Sequence, residues 1–189
     1  MALQATFPTA TVCVLRDPDF RRDPPNSVIV PVQQGKPGHK LLWWKLPAIE
    51  SFIFVCYCLE AKGTNSDPLT FLRDIDQFQV FTFKYFTSLK QDTSPQNGGA
   101  MWGKAWKSIQ KPLNQQAVED YIAVAKILHG HTWVETLRHN GTIPPGPPEE
   151  TASDKSAREL LFLLRKYLTK DRFDANIGGM LTTFNEVIN

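Results

Sequence analysis

The sequence predicts a mainly α-helical protein: a four-helix-bundle-like domain preceded by an extended or β-like N-terminal arm. Three observations lead there. Apolar residues recur at helical spacing in four segments joined by short connections. The first 45 residues carry short β-branched runs between proline-bearing breaks instead. One proline cluster, Gly141 to Pro148, then interrupts the helical part, because prolines fix φ and remove amide donors. At 189 residues, 42% hydrophobic and 21% charged, the chain is long enough to bury a core and too apolar to be disordered. The predicted division is an arm over 1–45, a helical bundle over 46–176 with a Pro-rich loop at 141–152, and a tail over 177–189.

In the arm, Thr11 to Leu15 and Ser27 to Val30 read as short strands, and Leu41-Leu42-Trp43-Trp44 follows a second Pro/Gly break. The segment is two or three short strands, or an extended arm docked on a neighbour. Pro47 suits a first helical position, and Ala48 to Ala61 is apolar almost all round before Gly63, which predicts a buried helix. Asp67-Pro68 predicts the cap and first turn of a second helix carrying Phe71, Ile75, Phe78, Tyr85 and Leu89. Phe81, Phe83 and Tyr85 alternate, so a strand competes with helix in its second half.

Gln91 to Gly103 reads as a polar loop, and Asn114 to Leu137 as a third helix that Gly130 weakens. A fourth helix is capped by Ser153. Its expected buried stripe is Ala157, Leu160, Leu161, Leu164, Tyr167 and Leu168, with Arg158, Glu159 and Phe162 on other faces.

No catalytic signature is present: no phosphate-binding glycine loop, no nucleophile elbow and no dinucleotide fingerprint. His129-Gly130-His131 places two imidazoles on different sides of a helix with no completing ligand, so no metal and no cofactor are expected. Cys13, Cys56 and Cys58 have no disulfide-framework spacing and read as reduced. The first residues lack a signal-peptide pattern and no apolar run reaches membrane-spanning length, so a cytoplasmic protein without a membrane partner is expected. A net charge of +2 excludes global electrostatic attraction to nucleic acid, while basic residues cluster locally between Lys84 and Lys111 and between Lys155 and Arg172. The 12 Phe and 5 Trp supply both core and interface material.

The last quarter runs from a helix ending Leu137-Arg138-His139-Asn140, through the loop Gly141 to Ala152, to a returning helix and Lys170-Asp171-Arg172-Phe173-Asp174. This order resembles the coat proteins of rod-shaped plant RNA viruses of the tobamovirus and furovirus type. The resemblance implies a four-helix subunit that self-assembles and packages single-stranded RNA by backbone contacts. It also implies a place in the virion or the host cytoplasm. Arg138 and Arg158 become the candidate RNA-binding residues, and Phe173, Asp174, Trp43 and Trp44 the candidate assembly or core residues. Arg138 also has a simpler reading as a cation at a helix C-terminus, and Phe173 as a core plug.

A second resemblance, to Nudix hydrolases, rests on Val28 to Pro47 and on fragments at Pro147 to Ala152 and Ala157 to Leu160. Leu161, Phe162, Leu163 and Leu164 stand where that family needs acidic residues to hold a metal, so it implies a catalytically dead domain. The leading expectation is thus a non-enzymatic coat-like protein. The alternatives are a soluble helical interaction domain that does not bind nucleic acid, or the dead Nudix-like domain.

Overall fold

The computed structural model describes residues 12–16, 30–31, 39–43, 46–88 and 99–169. The protein is mainly helical. Three short strands come first: β1 (Val12–Arg16), β2 (Val30–Pro31) and β3 (His39–Trp43). They form one sheet in the order β1-β3-β2, with β3 parallel to β1 and antiparallel to β2. Trp43 closes β3 opposite Arg16. Trp44, Phe173, Asp174 and the whole of the expected 177–189 tail lie outside the described residues.

Seven α-helices stand among the described residues where four were expected. They are α1 (Ile49–Gly63), α2 (Ile75–Phe81), α3 (Lys84–Ser88), α4 (Gly99–Ile109), α5 (Val118–Ala125), α6 (Gly130–His139) and α7 (Ala152–Tyr167). The first of them is the centre of the body. Helix α1 packs against α5, α6 and α7, and Ile53, Phe54, Cys56 and Cys58 are fully buried, as an all-round apolar helix requires. Pro47 precedes the cap residue Ala48 and so lies outside the helix. At the other end the left-handed position falls not on Gly63 but on Asn65, at φ 58°. Ser66 N donates to Ala61 O (2.8 Å) and Asn65 N to Lys62 O (3.1 Å), which satisfies the last carbonyls.

The expected second helix is displaced and cut. Asp67 accepts a hydrogen bond from Leu69 N (3.0 Å) and pairs with Arg73, so it opens a turn that leads into a 3-10 segment, Thr70–Leu72. The true helix cap is Asp74, which accepts from Asp76 N (2.8 Å) and Gln77 N (3.1 Å). The chain then breaks at Thr82, and the expected third helix breaks between α5 and α6. Both breaks have one cause, since the two segments bridge each other. Phe83 N donates to Ile127 O (3.1 Å), His129 N donates to Phe81 O (2.7 Å), and Thr82 pairs with Leu128. Two extended strips satisfy one another's backbone where helix would have satisfied each alone.

Helix α4 occupies part of what was expected to be loop. Trp102, Ala105 and Ile109 are buried at three- and four-residue intervals, and Phe78 packs against Trp102 (5.3 Å) and Trp106 (5.4 Å). On α6, Gly130 does more than weaken a helix. A Cβ there would lie 2.6 Å from Glu50 Cβ, so its small size permits the close approach of α1 and α6.

Helix α7 starts one residue before the expected cap. Thr151, not Ser153, is the cap residue, and its hydroxyl accepts from Asp154 N (3.2 Å). The buried face is also rotated from the expected stripe. Glu159, Leu163 and Tyr167 form its inner line, while Ala157 is exposed and Leu161 is 47% exposed. The four leucines near the middle obscured the phase, because any choice among them reads as amphipathic.

Candidate functional site at the proline-rich hairpin

Helices α6 and α7 are joined by the loop 140–151, and the charged residues flanking that loop converge. Gly141 takes a left-handed φ of 76°, which lets the chain turn off α6, and its amide donates to Arg138 O (3.1 Å). Ile143 then dives into the core, 1% exposed, with its amide on Leu137 O (3.1 Å). These contacts set Arg138, in the last turn of α6, across from the inner line of α7.

Arg138 grips Glu159 as a two-pronged fork: Nε donates to Oε1 and Nη2 to Oε2, each at 2.7 Å. The Glu159 carboxylate is buried, at 3% exposure. Hydrogen bonding from Arg138 holds its pKa below the usual glutamate value, against the opposing effect of desolvation. Arg158, one residue earlier and on an adjacent face, makes a second fork. Its Nε donates to Glu150 Oε1 (2.8 Å), Nη2 to Glu150 Oε2 (3.0 Å) and Nη1 to Pro144 O (3.0 Å). A 3.8 Å contact from Arg158 to Glu159 joins the two forks into one alternating chain of charge.

Two clefts flank this chain. One, of about 330 Å³, lies between α6 and α7, with Glu50 and His131 at its edge. The other, of about 360 Å³, lies under the loop and is lined by its prolines and by Arg138, Lys155 and Arg158.

No family model, curated protein or solved structure matches the chain. The site therefore stands on its own chemistry. The structure brings the two sequence-predicted arginines, Arg138 and Arg158, to one place, but each guanidinium is already engaged by a carboxylate. Arg138 does stand in the last turn of α6, as the alternative reading has it, and it also ties two helices together. The glutamates that complete the forks, Glu150 and Glu159, were not among the candidates. Glu159 had a legible signal: it falls four residues before Leu163 and eight before Tyr167, on the face that α7 buries.

Elsewhere burial is the main influence on several titratable groups. Burial pushes the Cys58 thiol well above its ordinary pKa, which leaves it a poor nucleophile, and pushes the Tyr121 phenol up to about 12. His129 is held below its usual value by burial first and by His131 second, and its Nδ1 meets Thr132 Oγ1 at 2.6 Å. Among the described residues no group of three or more His, Cys, Asp or Glu side chains is placed to hold a metal ion. No helix among them is long and apolar enough to cross a membrane.

The lowered pKa of Glu159 carries a pH prediction. A carboxylate whose folded pKa is depressed stabilises the fold above its unfolded value of about 4.3, and that contribution is lost as pH falls through the folded value. Thermal unfolding followed across pH 6 to 2 should show a fall at the acid end that is shallower in Glu159→Gln. An identical acid limb in both proteins would mean that the pair does not couple folding to protonation.

Proposed function

We propose that the chain is a non-enzymatic structural protein that acts by association, first with copies of itself, and that its α6–loop–α7 hairpin is the assembly element. The observation that carries this reading is the pair of Arg–Glu forks that ties two helices and a proline-rich loop into one unit. A subunit that packs against its own copies needs such a preorganised element, since a loose hairpin would have to be ordered at each contact. Residues 1–45 serve in this reading as an arm and the helical body as a bundle-like subunit core.

The sharper form of the proposal is packaging of single-stranded RNA in the manner of a viral coat protein, in the virion or the cytoplasm of a host cell. Arg158 is then the better phosphate contact of the two arginines. Its partner Glu150 lies in the loop and is less deeply buried than Glu159, and Lys155 lines the same cleft. Arg138 keeps an architectural role, because withdrawing it would strand a buried carboxylate. The second reading, a helical protein-interaction domain without nucleic-acid binding, is favoured by the neutralisation of both guanidinium groups.

Binding of a fluorescent single-stranded RNA at rising salt separates the two. The coat reading predicts affinity that falls steeply with salt and is weakened by Arg158→Ala, since phosphate contacts release counterions. Absence of salt-sensitive binding would leave the interaction reading alone.

A further inference from the structure

The loop's prolines compose a shape that neither reading uses. Pro144, Pro145, Pro147 and Pro148 have φ fixed near the polyproline II value, and Ile143, Pro144, Gly146 and Pro147 each precede a proline, which biases ψ to the same region. Residues 144–147 belong to no helix, strand or turn, as such a segment requires. A polyproline II helix has three residues per turn, so residues three apart share an edge.

The burial pattern follows that period. Ile143 is buried, and Gly146 is half-buried against the ion pair of Arg158 and Glu150: a Cβ on Gly146 would lie 2.5 Å from Arg158 Nη2. These two residues form one edge, turned inward. Pro144 and Pro147 form the second edge and Pro145 and Pro148 the third, and all four are exposed. The segment is pinned by Arg158 on the Pro144 carbonyl and by a turn in which Glu150 N donates to Pro147 O (3.2 Å).

We propose that residues 144–147, flanked by the buried Ile143 and by Pro148 at the start of the closing turn, are a pre-formed polyproline II ligand that docks into the aromatic-lined groove of a proline-recognising protein module. Such grooves accept two proline edges and leave the third facing away. Here the third edge is the one that the protein holds. The ordering entropy that a free peptide gives up is already spent on folding, which favours docking of the intact chain. Glu149, exposed just beyond the prolines, favours a groove with a basic rim.

The test titrates the full chain, and separately a synthetic peptide of residues 141–150, into isotope-labelled WW-type and SH3-type domains as probes, read by NMR. The expected result is saturable shifts of groove aromatic residues, with the chain binding at least as tightly as the peptide. Pro144→Ala combined with Pro147→Ala, which removes one exposed edge, should abolish the shifts while lowering Tm by only a few degrees, the cost of a freer unfolded chain. If that pair disturbs folding, Pro145→Ala offers the same test on the other edge. Absence of binding by either domain, binding by the peptide but not the chain, or undiminished binding by the edge variants would overturn the proposal. A chain that dimerises through these prolines, shown by sedimentation and reversed by the same variants, would overturn it in favour of a second copy as occupant.

Discussion

Trp133→Ala is expected to destabilise the protein by about 3–5 kcal/mol, the range for truncating a large aromatic in a packed core. Trp133 is 1% exposed and joins three elements. It meets Phe54 edge-on at 5.4 Å and Tyr57 at 5.8 Å, and Tyr57 in turn meets Tyr167 of α7 at 5.4 Å. Removing the indole empties the junction of α1, α6 and α7, and main-chain collapse there is opposed by the close Gly130–Glu50 approach. No hydrogen-bond acceptor meets the indole N–H among the described residues, so the loss is one of packing. Trp133→Phe should accordingly cost much less than Trp133→Ala. Urea unfolding of the three proteins checks this, and equal losses for Phe and Ala would mean that the indole N–H matters after all.

Arg138→Ala is expected to cost about 3 kcal/mol, at the low end of the range for breaking a buried ion pair. It leaves the Glu159 carboxylate buried without a hydrogen-bonded cation, with Arg158 at 3.8 Å and the charge of Lys155 acting on it. The low end applies because the adjoining cleft lets water approach. For a chain of this size that loss is a fall in Tm of roughly 6–12 °C. Replacing both partners, as Arg138→Met with Glu159→Met, should recover most of it, because an apolar pair strands no charge. A double-mutant cycle measures the coupling directly. Single variants whose losses simply add would show that the fork does not join the helices.

Local chemistry made the helical class, the buried character of α1 and the helix–loop–helix order of the last quarter readable. Four prolines cannot be helical, and an all-apolar helix has nowhere to go but the core. What escaped was set by partners distant in sequence. The breaks at Thr82 and at Lys126 to His129 arise only because those strips bridge each other, and nothing in either strip alone demands it. Helix α4 was obscured by Gly99 and Gly103, although Trp102, Trp106 and Ile109 already carry its period. At the site, the arginines were legible as cations beside a loop. Their neutralisation was not, because a buried glutamate is exceptional and is accepted only when its partner is known.

The same forks shape the functional account. They tie α6, the loop and α7 together, and in the proposed coat reading Arg158 is the arginine that would exchange its loop carboxylate for a phosphate. Electron microscopy of the purified full chain, with and without single-stranded RNA, is the most direct test of that account. It predicts regular assemblies of the protein that RNA lengthens or orders. Protein that stays monomeric at high concentration, with RNA present and at low salt, would contradict it.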